Sequence, residues 1–356
     1  MFIQNFTVKI YGLDNKEQYS NMKINILFQL NNNPSGGGNQ FLKALKKTLI
    51  KKNMYAEMED SDVVICNSHQ YVKDVIKMKK KYPDKIFIHR IDGPMRLYNK
   101  MSDKRDYVVN VVNKTIADGT VFQSKFSQRE NYRLGLKKNK FETIIYNTPD
   151  ETIFYPPKLK DGLKSKIKLV ATSWSGNINK GFDTYNYLDQ NLDFSRYSMS
   201  FVGNSPIKYK NIKMYDPKSS EELAEFLRKQ DIYISASKKE PCSNAILEAM
   251  NCGLPVVIRN DGGNPELVKN AGCLFNSEED IIQCIEKVSE DYNDYKNSIV
   301  FTSFDKKADE YIEFCSKVYN ATKKGEYVTR KLTWINELKI YFALIRWKLS
   351  VKLGND

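Results

Sequence analysis

Apolar runs of strand length alternate with segments of helical periodicity through most of this 356-residue chain. The alternation is typical of an α/β architecture with parallel sheets, because a strand needs a helical crossover to reach a parallel neighbour. The runs are rich in Val, Ile and Leu, as expected of strands that are buried on both faces. The predicted strands are residues 24–30, 63–66, 86–88, 119–122, 143–146, 168–171, 198–202, 232–235 and 255–258.

Two prolines, Pro156 and Pro157, stand near the middle of the chain in a segment, residues 155–162, that has no periodicity. Because proline is excluded from a helix interior, we predict a domain boundary here, with a cleft between two similar halves. The length also suits two domains of ordinary size. The predicted parts are two facing Rossmann-like domains, residues 1–157 and 158–322, and a basic amphipathic helix within residues 323–356.

The chain carries 56 Lys and Arg against 43 Asp and Glu, a net charge of +13. This excess favours an anionic partner: nucleic acid, an anionic membrane or a phosphorylated small molecule. The lysines are scattered through both halves and no nucleic-acid-binding motif accompanies them, which argues against nucleic acid. The first residues lack the features of a signal peptide, so we expect a cytoplasmic protein.

Metal and nucleophile chemistry have little to draw on in this sequence. The histidines are His69 and His89, and the six cysteines form no Cys-x-x-Cys pair. Zinc clusters, redox dithiols and Ser-His-Asp triads are therefore not indicated. We expect reduced cysteines, no metal and no other cofactor.

A glycine loop follows the first predicted strand. Gly36, Gly37 and Gly38 precede a helical segment that includes Phe41. Glycines let the backbone approach a ligand, and the following helix adds the positive end of its dipole. The loop is neither a dinucleotide fingerprint, since Phe41 stands where its third glycine would be, nor a P-loop. A plain turn is the alternative interpretation.

Two carboxylates flank a strand-to-helix loop in the second half. Glu240 follows the predicted strand 232–235, and Glu248 lies on a helix that Ser243 and Asn244 can cap. Ligands of parallel sheets bind at this end of the strands, where carboxylates accept hydrogen bonds from sugar hydroxyls and helix-start N–H groups bind phosphate. An ordinary amphipathic helix with a solvated Glu248 is the alternative.

The same residues carry a family resemblance. Glu240 and Glu248 are followed by Ala-Met-Asn-Cys-Gly-Leu-Pro-Val-Val at 249–257, by Gly-Gly-Asn-Pro-Glu-Leu-Val at 262–268 and by Gly-Cys-Leu-Phe at 272–275. This ordered set resembles the donor site of retaining glycosyltransferases of family 4, which have the GT-B fold. Weaker similarities extend over about residues 22–320, at residues 36–38, 88–94, 144–150, 168–171, 179–182 and 201–204.

The resemblance implies roles for individual donor-site residues. Glu248 would bind the ribose hydroxyls, Glu240 the donor sugar and Lys180 the diphosphate. Backbone N–H groups of two further pairs would take phosphate oxygens and the charge of the leaving group. Those pairs are Ser243 with Asn244 on the helix and Gly37 with Gly38 in the glycine loop.

Other implied roles concern the base and the acceptor. Gly203 and Asn204 would lie near the nucleotide base. His89 or Asp92 would orient an acceptor hydroxyl, while Arg90 would contribute a cation to the donor site. Family members are generally thought to react on one face of the sugar, with the leaving phosphate accepting the acceptor's proton, so no dedicated general base is required.

Two features depart from a simple match. Trp174 stands where the family usually has arginine, and an indole cannot pair with phosphate. Arg90 and Arg259 are the candidate replacements; otherwise Lys180 carries that charge alone. Asp60-Ser61-Asp62 spells a metal-binding Asp-x-Asp, yet it precedes a predicted strand and so lies at the end of the sheet away from the cleft, which favours a solvated loop.

The C-terminal segment is both apolar and basic. Trp334 and Trp347 lie among aliphatic residues that Lys339, Arg346 and Lys348 interrupt. These central cations argue against a transmembrane helix. A helix on an anionic membrane surface and a helix docked on the first domain or on a second subunit are both open interpretations.

Together these patterns predict a metal-independent, retaining glycosyltransferase. It would move a hexose or N-acetylhexosamine from a nucleotide diphosphate sugar, with UDP favoured, to a glycan or lipid-linked acceptor. A nucleotide-sugar epimerase of the same fold, a silent relative that only binds sugar nucleotides and a nucleic-acid- or anion-binding protein are the alternatives.

Overall fold

A computed structural model describes residues 22–30, 37–158, 163 and 166–352. The strands of the first half form a five-stranded sheet in the order β1-β2-β3-β4-β5, with every neighbouring pair parallel. These strands are β1 (Ile24–Leu27), β2 (Val63–Asn67), β3 (Ile86–Ile91), β4 (Gly119–Phe122) and β5 (Phe141–Ile144).

The second half forms a six-stranded parallel sheet in the order β11-β10-β9-β6-β7-β8. Its strands are β6 (Ile167–Ser173), β7 (Tyr197–Gly203), β8 (Lys213–Tyr215), β9 (Ile232–Ser235), β10 (Val256–Arg259) and β11 (Gly272–Phe275). The strand order reverses between β6 and β9. In such sheets a crevice opens at the carboxyl ends of the two strands at this reversal.

Helices cover both sheets. They are α1 (Gly37–Lys51), α2 (Val72–Lys81), α3 (Met95–Tyr98), α4 (Arg105–Thr115), α5 (Lys125–Arg133), α6 (Phe182–Asn191), α7 (Ser220–Arg228), α8 (Asn244–Asn251), α9 (Asn264–Val268), α10 (Asp280–Glu290), α11 (Tyr292–Asn297), α12 (Phe304–Lys323) and α13 (Trp334–Lys352). Local sequence explains several starts: Ser219 and Glu222 form a capping box at α7, and Ser303 caps α12.

The α/β prediction with two parallel sheets is confirmed, and all nine predicted strands are present, seven of them with shifted ends. Two strands were missed. β8 is an edge strand of three residues with Lys213 and Met214 exposed, so it lacks a buried apolar run. β11 begins at a glycine and is only partly buried. Its short apolar run is therefore a weak strand signal.

The chain crosses between the halves twice. It leaves the first half after β5, through a segment that the structure describes only in part, and returns at α12. Phe304 and Tyr311 of α12 pack against Phe41 of α1, with ring centroids 5.2 and 5.8 Å apart. The helix thus belongs to the core of the first sheet. The domain limits themselves stay a prediction.

A buried ion pair fixes the segment that follows α12 in the chain to the first half. Lys79 Nζ lies 3.6 Å from the Asp118 carboxylate, and both side chains are fully buried. Asp118 also accepts hydrogen bonds from the Tyr327 hydroxyl and from the backbone N–H groups of Phe87 and Arg330, at 2.8–3.0 Å. One carboxylate therefore joins the sheet, α2 and the segment leading to α13.

We expect Asp118→Ala to lower the free energy of unfolding by about 3–5 kcal/mol, because it leaves Lys79 buried without its counter-ion. Combining it with Lys79→Met should recover part of the loss. Asp84→Ala, which removes the exposed partner of Lys331, is the matched control and should leave the urea midpoint unchanged. A midpoint shift as small for Asp118→Ala as for the control would contradict this assignment.

Candidate functional site

The crevice at the strand-order reversal opens into a cavity of about 570 Å³ between the two halves. β6 and β9 point their carboxyl ends at it, and loops from the first sheet form the opposite wall. Of the predicted site residues, its lining includes Gly37, Gly38, Asp92, Lys180, Gly203, Glu240, Ser243, Asn244 and Glu248. Residues that lie far apart in sequence, from both halves of the chain, thus meet in one place.

Lys180 and Glu240 form an ion pair within this cavity. Lys180 ends a short 3-10 turn, Ile178–Lys180, and Gly181 follows in a left-handed conformation (φ 74°). A Cβ on Gly181 would lie 2.3 Å from the Ala236 carbonyl oxygen, so glycine is required for this close approach. Burial lowers the pKa of Lys180, but the charges of Glu240 and Tyr98 outweigh it and raise that pKa above its ordinary value.

Glu248 points a carboxylate into the same cavity from α8. The side chain is partly buried, and within the described part of the chain no residue donates a hydrogen bond to it. Burial raises the pKa of Glu248 to about 7. An ionised carboxylate without a partner is costly in such surroundings, which makes Glu248 a natural acceptor for ligand hydroxyl groups.

Two helix amino ends meet at the cavity. Gly37 begins α1 and touches Asn244, the first residue of α8: a Cβ on Gly37 would lie 1.7 Å from Asn244 Nδ2. Gly38 faces open space. The Ser243 side chain makes no capping hydrogen bond to α8, so the N–H groups of that first turn are left for an anion. The arrangement suits a phosphate between the halves.

A buried network of hydrogen bonds from a guanidinium group supports the wall that the first half of the chain contributes to the cavity. Arg90 is fully buried and donates to Asn67 Oδ1 at 2.6 Å, Asn147 Oδ1 at 2.8 Å and Asp92 Oδ1 at 3.2 Å. The Asn147 side chain in turn donates to Asn244 Oδ1 at 3.0 Å, across the boundary between the halves. Arg90 therefore positions cavity residues without lining the cavity, so the structure does not bring this predicted donor-binding cation to the cavity surface.

His89 does not line the cavity either, so the structure does not bring this predicted catalytic residue together with the others. It lies on the neighbouring position of β3, fully buried, with Nε2 2.8 Å from the Ser68 carbonyl oxygen and Nδ1 3.4 Å from Asn113 Nδ2. Burial lowers the pKa of His89 to about 4, so the ring is neutral at pH 7. Asp92, two positions beyond Arg90, does line the cavity and also accepts a hydrogen bond from Gln123.

The turn after β7 also differs from expectation. Gly203 has φ 117°, and a Cβ there would lie 2.0 Å from the Ser173 carbonyl oxygen. This tight turn leads Asn204 out to solvent, where its amide donates to the Trp174 carbonyl at 2.7 Å. Asn204 thus holds the loop that carries Trp174 and does not line the cavity, whereas Trp174, 49% exposed, does.

Neither candidate arginine substitutes for the missing cation at Trp174. Arg90 is committed to its buried network, and Arg259 pairs with Glu278 and donates to Thr184 Oγ1 at 2.7 Å, away from the cavity. The lysines that line the cavity are Lys180, Lys218 and Lys239. Two of these cations, together with Asn147 and Gln123 as positioning amides, are contributions that the sequence analysis did not assign.

Comparison with known proteins bears on this site. The family model described as glycosyl transferases group 1 matches residues 208–300, which include Glu240 and Glu248. This segment is therefore similar to group 1 glycosyltransferases. Lys180 and the first half of the chain lie outside the match.

Similar curated proteins extend beyond this domain. Spore coat protein SA of Bacillus subtilis is 23% identical over 277 residues, covering 66% of this chain and 70% of that protein. A probable sucrose-phosphate synthase of Thermosipho melanesiensis is 25% identical over 166 residues. That second match covers 43% of this chain and 39% of the relative, so the chain spans less than half of it.

Solved structures with similar folds are glycosyltransferases of the GT-B fold. A sucrose-phosphate synthase from Thermosynechococcus elongatus has a TM-score of 0.63 at 12% identity, covering 85% of this chain and 98% of that one. HepE from Anabaena, solved in complex with UDP-glucose, has a TM-score of 0.60 at 16% identity, covering 85% and 100%. The two halves of the chain together therefore adopt the GT-B fold.

The Asp60-Ser61-Asp62 motif lies away from the cavity. It precedes β2, at the amino edge of the first sheet, where Asp62 Oδ2 accepts from the Lys23 backbone N–H at 2.9 Å. None of its residues lines the cavity. The position agrees with a structural loop.

Substitutions of Glu240 and Glu248 should change the stability of the protein in opposite directions. The raised pKa of Glu248 means that stability present below pH 4.5 is lost as the pH rises through about 7. We expect Glu248→Gln to stabilise the protein by about 2 kcal/mol at pH 8 and to have little effect near pH 5. Calorimetric unfolding at the two pH values measures this.

Glu240→Gln is the matched variant. It leaves Lys180 without its counter-ion and should destabilise the protein by about 1–3 kcal/mol at both pH values. Destabilisation by Glu248→Gln at pH 8 would mean that the Glu248 carboxylate is satisfied within the fold.

Proposed function

We propose that this protein is a retaining glycosyltransferase of family 4. It transfers a hexose or N-acetylhexosamine from a UDP-sugar to a glycan or lipid-linked acceptor, without a metal ion. The observation that carries the proposal is the single cavity in which Lys180, Glu240, Glu248 and the amino ends of α1 and α8 meet. The preference for UDP is supported by HepE, a protein of similar fold whose solved complex holds UDP-glucose.

Glu248 and Lys180 supply the two ends of a nucleotide diphosphate site. No described residue donates a hydrogen bond to the Glu248 carboxylate. It accepts hydrogen bonds from the two ribose hydroxyls. Hydroxyl donors stabilise its ionised form, so ribose binding opposes the effect of burial on its pKa. Lys180 turns from Glu240 to the diphosphate, and Glu240 is then released to accept hydroxyls of the donor sugar.

The helix ends supply electrostatic stabilisation where negative charge develops. As the bond between the anomeric carbon and the phosphate oxygen breaks, the charge on the leaving phosphate grows. N–H groups at the starts of α8 and α1 face that position and need no reorganisation to stabilise it. The role that arginine usually has at position 174 is thereby shared between Lys180 and backbone dipoles.

The acceptor hydroxyl attacks from the face that the phosphate leaves, and its proton passes to the leaving phosphate oxygen. The first half of the chain forms the wall of the cavity opposite the proposed donor site, and we call it the acceptor wall. On this wall Asp92 is held by Arg90 and Gln123 and orients the acceptor hydroxyl by accepting a hydrogen bond. With His89 buried and neutral, the reaction proceeds without a histidine base. Because the leaving phosphate itself accepts the proton, the acceptor wall needs no side chain that acts as a base.

Nucleotide binding provides the first test. UDP should raise the melting temperature more than ADP or GDP, because a ligand that binds only the folded state stabilises it. Glu248→Ala should abolish the shift. Lys180→Ala should reduce turnover of UDP-glucose about a hundredfold or more, while Lys238→Ala, which breaks a surface ion pair with Asp183, should not.

Turnover of Lys180→Ala within a few-fold of the parent would contradict the role given to Lys180. Release of UDP that depends on added acceptor separates transfer from epimerisation, which needs none.

Metal independence is tested separately. We expect excess EDTA to leave the initial rate unchanged, since positive charge on the diphosphate comes from Lys180 and the helix ends. Loss of all activity, restored by Mg²⁺ or Mn²⁺, would show that a cation is required and would contradict metal independence.

A further inference from the structure

α13 has two faces with different surroundings. Ile340, Ala343 and Leu344 are buried against α2 and α4, in a cluster with the first sheet. The opposite side is exposed although it is apolar, with Trp334 70% and Leu338 57% exposed. We call this side the outer face of α13; its members are Trp334, Leu338, Tyr341, Phe342, Ile345 and Leu349.

Specific contacts fix the rotation of α13 about its axis, so the outer face is a defined surface. Glu337 pairs with Lys80 at 3.0 Å near the start of the helix. Near its end, Arg346 lies over the Tyr107 ring at 5.2 Å, and the Trp347 ring meets His69 edge-on at 5.3 Å. His69 thus packs against α13, while α2 itself starts without a side-chain cap.

Basic residues flank the outer face on both sides. At 100° per residue, Lys339 and Arg346 lie along one edge and Lys348 lies along the other, while Lys352 ends the outer face at the same angle as Trp334. Glu337, the acidic residue of the helix, is already paired with Lys80. On the neighbouring α2, Lys73 and Lys77 are exposed as well. An apolar strip with cations along both edges and at its carboxyl end is the pattern of a helix that lies in the interface of an anionic bilayer.

We propose that the outer face of α13 seats the protein on an anionic lipid surface. Large aromatic and aliphatic side chains would enter the headgroup boundary, while the flanking lysines and arginine meet lipid phosphates. A second copy of the chain fits less well, because a two-fold contact on this face would bring rows of like charge together. No helix in the described ranges is long and apolar enough to cross a membrane.

The docking of α13 also sets where the lipid surface lies relative to the cavity. Trp347 touches His69, which stands between Asn67 and Gln70, two residues that line the cavity. The carboxyl end of α13 is therefore next to the acceptor wall. We infer that the acceptor is held at the lipid surface, as a lipid-linked molecule is; this step rests on the proposed function.

Vesicle binding tests the lipid seat. The variant Leu338→Glu/Ile345→Glu/Leu349→Glu removes three outer-face residues, and Ile50→Glu/Val300→Glu/Val328→Glu is its matched control, with the same charge change at exposed apolar residues elsewhere. On vesicles of phosphatidylcholine with about one third phosphatidylglycerol, the outer-face variant should lose about tenfold or more in partition coefficient. The wild type and the control should bind alike.

Equal binding by all three proteins, or no binding by the wild type, would overturn the proposal. Melting temperatures near that of the wild type are expected, since every substituted residue is exposed. The single variant Leu338→Glu should give a smaller loss in the same direction. Light scattering without vesicles should report a monomer; a dimer that the outer-face variant dissociates would assign the face to a second copy and overturn the lipid seat.

Orientation and function have separate readouts. Quenching of tryptophan fluorescence by brominated lipids should disappear in Trp334→Phe and persist in Trp347→Phe, because Trp347 faces the protein. The reverse result would overturn the assignment of faces. UDP titration should be the same for the outer-face variant and the wild type. Vesicle binding without UDP binding would contradict the proposed function alone, and UDP binding without vesicle binding would contradict the lipid seat alone.

Discussion

The buried guanidinium of Arg90 is the interaction on which the arrangement of the cavity depends. A fully buried charge must be compensated by fixed partners, and Arg90 takes its partners from three separate segments: the end of β2, the residue Asp92 beyond β3, and Asn147 after β5. Asn147 then contacts Asn244 at the start of α8. One charge thus determines how the acceptor wall meets the helix end that is proposed to bind phosphate. A Lys at this position could not donate in three directions from a planar group.

The site is costly to the fold in a way that matches its proposed use. Glu248 stays a partly buried carboxylate to which no described residue donates a hydrogen bond. Lys180 and Glu240 pair with each other, and a bound nucleotide sugar would separate them. Each is less favourable for the protein alone than a fully satisfied alternative would be. Residues that a packed core would not select are therefore concentrated in one cavity, and a ligand that satisfies them recovers the lost free energy on binding.

The sequence predicted the parts of the site whose signals are local. Glu240 and Glu248 were placed correctly at the carboxyl end of β9 and on α8, because a strand, a loop, a capped helix and Gly253 follow one another within a short segment. Arg90 and His89 could not be assigned in this way. Both lie on β3, which is buried throughout, so neither face of the strand carries a polar pattern that tells which side chain meets the cleft. Their partners, Asn147 and Ser68, are set by tertiary contacts, and the left-handed turn at Gly203 likewise redirects Asn204.

The double crossing of the chain has a mechanical consequence. Near the crossings the Thr148 hydroxyl donates to the Thr302 carbonyl at 3.0 Å, and Glu151 accepts from the Phe304 backbone N–H at 2.8 Å, so the outgoing and returning segments run side by side. Two halves joined by one segment can rotate about several axes, whereas two adjacent connecting segments restrict the rotation to the axis that runs through both. Opening and closing would then follow one path, in which α8 and α1 separate and return to the same register each time.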